Sequence, residues 1–155
     1  MRAVIQRVSK ASVNIDNQEL ARINEGLVIL LGIKVNDSKD EAKLLARKVA
    51  NMRLFNDENG KMNKSLIEKS GKAIVVSQFT LYGNCKKGRR PSFIEAAEPE
   101  LAISLYNYFV ECLKCENVSV QTGQFQAIMQ VEIINEGPVT IILDSDDIQG
   151  NKKHC

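Results

Sequence analysis

The sequence predicts a single α/β domain, and three observations carry that reading. Its 155 residues match a prior of roughly 150 per domain. Strand-like patterns recur at the front, middle and end of the chain, and two stretches with helical spacing separate them. Hydrophobic residues make up 44% of the chain, enough for one core without a disulfide or metal staple. With 26% charged residues, 9 Gly and 3 Pro, the composition is that of an ordinary globular protein.

Taken in order, Ala11, Val13 and Ile15 alternate with Ser12, Asn14 and Asp16, the period of a strand with one dry face. Met1–Ser9 is expected as a partner strand. Asp16-Asn17-Gln18 supplies turn chemistry before Leu20–Ile23, and Asn24-Glu25-Gly26 supplies it before the continuous apolar Leu27–Ile33. The first third thus reads as a meander ending in a central strand. Its longest apolar run falls far short of the ~20 residues of a membrane span. Ser38-Lys39-Asp40-Glu41 fits a capping box, and Ala42, Leu45, Ala46, Val49 and Met52 follow at helical spacing, predicting a helix over about 38–53. Asn56-Asp57-Glu58-Asn59-Gly60 is turn material, Ala73–Phe79 a buried strand, and Gly83–Pro91 a basic loop.

Pro99 suits the first turn of a second helix, about 99–114, with Leu101, Leu105, Tyr108, Phe109 and Cys112 on one face. Val118–Gln121, Ile128–Ile134 and Val139–Leu143 complete the strands, the last two joined by Asn135-Glu136-Gly137-Pro138. The chain turns polar from Asp144. The expected domain spans 1–145, with 146–155 a polar, frayed tail.

Composition excludes several function classes. A net charge of +2 lacks the footprint of a general nucleic-acid binder, although a local patch remains open. The single histidine is His154, next to last in the chain. A Ser-His-Asp or Cys-His arrangement would have to draw its base from that tail, and multi-histidine zinc sites are impossible. No metal and no cofactor are expected. Cys112-Leu113-Lys114-Cys115 has redox-motif spacing but ends a helical pattern without a second such pair, so buried or half-exposed thiols are expected. The N-terminal residues lack the apolar region and cleavage site of a signal peptide, which favours a cytoplasmic location.

Four places carry candidate chemistry. At Ser77-Gln78-Phe79-Thr80-Leu81 an apolar strand runs into polar residues, with Gln78 and Thr80 expected on one face and Ser77, Phe79 and Leu81 on the other. A strand end leaves backbone N–H groups free for a ligand carbonyl or oxyanion; polar residues that merely finish the strand are the plain alternative. Gly137-Pro138 is either a hairpin corner or a place where backbone approaches a ligand closely, with an X-Pro bond able to hold a fixed cis geometry. Arg7 sits among Val4, Ile5 and Val8; facing inward it needs an acceptor such as the carbonyls of an irregular loop, and facing outward it is a solvated edge residue. Lys86, Lys87, Arg89 and Arg90 surround Gly88 between Tyr82 and Phe93, a phosphate-binding candidate or a solvated loop. Neither a Walker-type loop nor a dinucleotide fingerprint is present.

Taken together, Met1-Arg2-Ala3-Val4-Ile5-Gln6-Arg7-Val8, Ser77-Gln78-Phe79-Thr80-Leu81 and Asn135-Glu136-Gly137-Pro138-Val139-Thr140 resemble the D-aminoacyl-tRNA deacylase family in order and spacing. The resemblance runs from Met1 to about Leu143 and includes Gly60-Lys61-Met62-Asn63 and Arg90-Pro91-Ser92-Phe93; the segment beyond Leu143 departs from it. It implies a homodimeric α/β fold around a curved, mostly antiparallel or mixed, barrel-like sheet with two main helices. It implies hydrolysis of the ester joining a D-amino acid, or glycine mischarged on tRNA(Ala), to the terminal adenosine of tRNA, with no membrane partner. Ser77, Gln78, Phe79 and Thr80 would then line the reaction pocket, and the Phe79 N–H and the region of Gln78 would hold the carbonyl. Gly137-Pro138, cis, would enter the partner subunit's pocket as a chiral filter held by Arg7. Phe125 and Met129 would form the adenosine pocket, and Lys86, Lys87, Arg89 and Arg90 would contact the acceptor end.

This activity suits a chain without a usable histidine, because an aminoacyl ester beside a ribose hydroxyl is already activated. Two routes stay open: attack by Thr80, or water oriented by the RNA's own ribose hydroxyl. No residue near Thr80 in sequence can deprotonate it, which favours the RNA-assisted route. Two other classes also stand: a non-catalytic tRNA-binding module using Lys86–Arg90, and a structural dimer without a ligand.

Overall fold

One long strand organises the sheet. In the computed structural model, which describes residues 1–150, β1 (Arg2–Ile15) runs unbroken where the sequence suggested two paired strands. No turn residue breaks it, and Ala3, Ile5, Val8, Ala11 and Val13 are all buried along one extended segment whose alternation shifts around Val8, where its pairing with the end of the chain is irregular. Its length lets its two halves pair with different neighbours. Ala11–Ile15 pairs antiparallel with β2 (Gln18–Ile23) through a tight turn at Asp16-Asn17, whose φ of 48° and 62° Asp and Asn tolerate well. Arg2–Val8 pairs antiparallel with β3 (Gly26–Gly32).

β3 continues the sheet in parallel with β6 (Lys72–Ser77), and β6 in parallel with β7 (Ser119–Thr122). Parallel neighbours need crossovers. The first carries α1 (Lys39–Asn51) and a small hairpin of β4 (Phe55–Asn56) and β5 (Met62–Lys64), in the region expected only as a turn; the second carries α2 (Pro99–Cys115). The path β2-β1-β3-β6-β7 curls back on itself, with the Arg22 amide of β2 donating to Gln121 Oε1 of β7 at 2.8 Å. The sheet is therefore mixed and nearly closed, barrel-like as expected.

Two cores result. Val8, Ala11, Val13, Ile23, Val28, Ile74 and Val76 fill the inside of the curve. Ile5, Leu27, Ile29 and Leu31 pack outward on Leu45 and Val49 of α1 and on Leu105, Phe109 and Leu113 of α2. Burial on both faces explains why Leu27–Ile33 and Ala73–Val76 are continuous apolar runs. α1 carries the anticipated capping box, with the Ser38 amide donating to Glu41 Oε2 at 2.7 Å and the Asp40 amide to Ser38 Oγ at 3.1 Å. α2 is rotated from the expected face: it buries Ala102, Leu105, Tyr106, Phe109, Val110 and Leu113, while Leu101 is exposed. The two-sided contact of α2 with the sheet and with α1 selects a wider stripe than the one read from the sequence. Cys112 is half-buried, and Cys85 and Cys115 are exposed free thiols.

Two further expectations are corrected at the end of the chain. The expected strands Ile128–Ile134 and Val139–Leu143 are not a hairpin; the first from Gln130 onward and the whole of the second belong to β8 (Gln130–Asp144), antiparallel to β1 throughout. From Gln6 to Val8, β1 advances two residues while β8 advances five, from Thr140 to Asn135. β1 is long enough to pair with both halves, so the surplus is expelled as a bulge rather than a reversal. Proline, lacking an N–H, fits such a place. The polar tail is also more ordered than expected at its start: α3 (Ser145–Gly150) is a third helix. Ser145 is fully buried, its amide bonded to Met1 O at 2.8 Å and its hydroxyl to the Met1 amine at 2.7 Å. His154 and Cys155 lie outside the described residues.

Candidate active site

At the end of β6 the strand stops at Ser77 and the chain tightens into a 3-10 turn, Phe79–Tyr82. The Gln78 amide still bonds β3 at Leu31 O (2.8 Å), and Leu81 N then turns back to Gln78 O (3.3 Å). The strict alternation expected across Ser77–Leu81 therefore fails after Gln78, because a turn has replaced the strand. The turn has a chemical consequence. The N–H groups of Phe79 and Thr80 precede its first internal bond, and neither has a partner among the described residues. Gln78 Nε2 donates to Thr80 Oγ1, so an amide, which cannot accept a proton from the hydroxyl, is the neighbour of Thr80.

The turn is braced from behind. Arg2 Nη1 donates to Leu81 O at 3.0 Å, the same guanidinium lies 5.0 Å from the centre of the Tyr82 ring, and Asp144 holds it at 3.0 Å. Tyr82 is buried with its hydroxyl unpaired, and that burial, with Asp144 and Asp37 nearby, pushes its phenol well up.

A cavity of about 690 Å³ opens beside the turn. Ser77, Gln78 and Phe79 form one wall, Phe125, Met129 and Val131 another, and Phe93, Ala96, Glu98 and Pro99 a third. Tyr106 supports the second wall from beneath. Its ring lies 6.3 Å from that of Phe125, its hydroxyl donates to Val75 O at 2.8 Å, and burial pushes its pKa up to about 12, so it stays neutral. Gly123 leaves room for the Met129 thioether; a Cβ there would stand 2.6 Å from the sulfur. The structure thus brings together Ser77, Gln78, Phe79, Phe125 and Met129, with Thr80 on the adjoining turn.

The remaining sequence candidates lie outside this lining. Arg7 faces inward, only 6% exposed, and its Nη1 donates to Leu54 O at 2.7 Å, with Asn56 Oδ1 at 3.5 Å. Its Nε stands 3.5 Å from the Glu136 carboxylate, within ion-pair range yet without a hydrogen bond. The carbonyl it needed comes from the segment before β4, and its link to the bulge is through charge. The bulge itself is rooted by Asn135, whose Nδ2 donates to Arg7 O at 2.9 Å and to Val139 O at 3.1 Å. Gly137 and Pro138 are exposed and joined by a cis peptide bond. Lys86, Lys87, Arg89 and Arg90 lie on an exposed hairpin closed by Asn84 and Ser92, whose amides and carbonyls exchange bonds of 2.7 and 3.0 Å. None of the four cations has an ion pair among the described residues.

Sequence reasoning missed Glu98 and the Phe93–Ala97 wall. Pro99 marked the helix start, but nothing local indicated that this start would face Ser77. Among the described residues, no group of three or more His, Cys, Asp or Glu side chains is placed to hold a metal ion.

The model of the D-Tyr-tRNA(Tyr) deacylase family matches residues 4–144. A D-aminoacyl-tRNA deacylase of Fervidobacterium nodosum is 52% identical over 148 residues, covering 96% of this chain and 99% of that one. One from Clostridioides difficile is 53% identical over 145 residues, covering 94% and 97%. Among solved structures, the c-Myc DNA unwinding element binding protein superposes with a TM-score of 0.87 at 41% identity, covering 93% of this chain and 98% of that one. A probable eukaryotic D-amino acid tRNA deacylase shares the fold, with a TM-score of 0.76 at 16% identity over 92% of this chain and 97% of that one.

Proposed function

The chain belongs to the D-Tyr-tRNA(Tyr) deacylase family, and from that premise we propose that the cavity beside Ser77–Thr80 hydrolyses the ester of D-aminoacyl-tRNA. It is an ester hydrolase acting on aminoacyl-tRNA, and it releases the free D-amino acid and tRNA. The observation that carries the assignment to this cavity is the pair of unpartnered N–H groups on the Phe79–Thr80 turn beside it. The cavity volume falls within the ~300–1,000 Å³ of small-ligand sites, room for an adenosine and an amino acid. Phe125 and Met129 offer apolar surface for adenine, Glu98 brings a negative charge for the α-ammonium, and the Phe79 N–H meets the carbonyl oxygen as it gains charge.

Positioning and one oxyanion donor suffice for an activated ester. Orientation can supply up to roughly 7–11 kcal/mol, and a single donor about 3–4 kcal/mol. Thr80 has only the Gln78 amide beside it, which supports a route in which the vicinal ribose hydroxyl of the terminal adenosine orients or activates water. Water adds to the carbonyl and gives up a proton through the vicinal hydroxyl, the Phe79 N–H stabilises the tetrahedral oxyanion, and the ribose oxygen takes up that proton as its bond to the carbonyl carbon breaks.

Chirality is read by exclusion. With ammonium and carbonyl held, inverting the α-carbon exchanges side chain and hydrogen, so a wall on one side rejects every L residue and passes D residues and glycine, including glycine mischarged on tRNA(Ala). Gly137-Pro138 is that wall. It projects from β8 and lies outside its own cavity's lining, the arrangement needed for donation to a second copy. The homodimer this requires is supported by the exposed Ile134 and Ile142 on β8, whose outer edge is unpaired among the described residues. Arg7 holds the bulge from behind, and Lys86, Lys87, Arg89 and Arg90 add affinity for the acceptor end. The deciding experiment follows ester loss from matched D- and L-aminoacyl-tRNA. Loss of the D ester and glycyl ester with survival of the L ester is expected, and equal loss of D and L esters refutes the filter.

A further inference from the structure

An apolar rim and a basic hairpin adjoin the cavity, and Ile94 and the four cations of the hairpin lie outside its lining. Ile94 is 84% exposed and directly follows Phe93, which lines the cavity and meets Phe79 edge-to-face with ring centres 5.1 Å apart. Phe79 is itself more than half exposed. Single exposed apolar residues need no explanation, but Phe79 and Phe93 in contact at the cavity, with the exposed Ile94 next in the chain, do.

The hairpin grows from the same place. Ser92, the residue before Phe93, pairs with Asn84, Asn84 Oδ1 accepts from the Lys86 amide at 3.0 Å, and Gly88 reverses the chain with a φ of 69°. Within a few residues the chain passes from apolar rim to Lys86, Lys87, Arg89 and Arg90, all exposed. Single-stranded nucleic acid is held by this combination, bases against flat or apolar side chains and phosphates along unpaired cations.

Resting on the deacylase reading, we propose that Phe93, Ile94 and the 84–92 hairpin form a second nucleotide subsite, which takes the unpaired nucleotide preceding the terminal adenosine. That nucleotide is joined to the adenosine by one phosphate, so a strand leaving the cavity crosses its rim. Its base lies on Ile94 and the edge of Phe93, and its phosphate meets Arg89 or Arg90. Charge selects this occupant over a second copy of the chain. Two facing copies would each bring four cations, whereas RNA brings the opposite charge.

The test compares D-aminoacyl-tRNA with 3′-O-(D-aminoacyl)adenosine, which lacks every preceding nucleotide. Wild-type protein should hydrolyse both, with the tRNA ester at least tenfold ahead in kcat/KM. Ile94→Ser, a surface change that leaves the fold intact, should raise KM for the tRNA ester about three- to tenfold, the low end of measured base-stacking effects. It should leave the adenosine ester unaffected. Ile94→Tyr should lower KM for the tRNA ester alone. A response of both substrates together, or of neither, overturns the subsite while the deacylase reading stands. A change in sedimentation with Ile94→Ser overturns it in favour of a second copy on the rim. If wild-type protein cleaves neither ester, the deacylase reading falls and the subsite with it.

Discussion

Replacing Arg7 with Met separates what holds the bulge from what holds the core. The substitution deletes a buried 2.7 Å bond from the guanidinium to Leu54 O, and bonds to charged groups contribute about 1.5–3 kcal/mol. The Leu54 carbonyl is left without a described partner. Asn56 at 3.5 Å adds little, and the Glu136 pair, half-exposed on the carboxylate side, is screened and worth under about 1 kcal/mol. A methionine recovers the apolar packing of the arginine stem and removes a buried Nε that makes no hydrogen bond, which offsets part of the loss. The net cost is about 2 kcal/mol, or roughly 4–8 °C in Tm for a chain of this size. Glu136→Gln should cost less than half as much. Differential scanning calorimetry of both variants reads the ranking, and hydrolysis of L-aminoacyl-tRNA reads the function: it should rise in Arg7→Met as the bulge loses its charged anchor. Equal stability of Arg7→Met and wild type, or a larger loss in Glu136→Gln, would show that the Leu54 carbonyl is not the principal partner.

Other substitutions and conditions discriminate further. Thr80→Val should slow D-ester hydrolysis without abolishing it, whereas a substrate lacking the free vicinal ribose hydroxyl should be cleaved far more slowly; trapping an acyl-enzyme would reverse that assignment. Neutralising Arg89 and Arg90 should raise the tRNA concentration for half-maximal rate and flatten its dependence on salt, because fewer counterions are released; a change confined to the saturated rate contradicts a role in affinity. Gly123→Ala places a Cβ 2.6 Å from the Met129 sulfur, so the thioether must shift by about 1 Å to reach an ordinary contact; KM should rise several-fold with little loss of Tm. Ser38→Ala removes half of the capping box and should cost about 1 kcal/mol in urea titration with no effect on turnover. Activity should survive exhaustive chelation, and recovery of lost turnover on adding a specific metal would contradict this.

The legible parts of the fold were those governed by local chemistry. Ser38 and Glu41 cap α1, Pro99 opens α2, and Asp16-Asn17 turns β1 into β2, each through bonds or torsions within a few residues. The errors arose where distant pairing decides. Asn135-Glu136-Gly137-Pro138 has the composition of a hairpin, and only the 14 residues of β1 alongside it make it a bulge. Ser145 starts a helix because Met1 pins it, a contact across 144 positions. At the site, Ser77–Thr80 stood out because polar residues interrupted an apolar strand. Glu98 did not, since its relevance depends on α2 beginning beside β6.

The pairing of β1 with β8 also orders events during synthesis. β1 leaves the ribosome well before β8, and Arg2 lies opposite Asp144. At a translation rate of ~5–20 residues per second, that edge of β1 waits roughly 7–28 s for its neighbour. β2 and β3 occupy the other edge early, so the nascent chain carries a half-covered sheet with Val8, Ala11 and Val13 incompletely buried. Phe125 and Met129 arrive just ahead of β8, and the 136–138 bulge arrives within it. The cavity wall and the bulge are completed together when β8 emerges, and a chain still lacking β8 presents an open edge along β1.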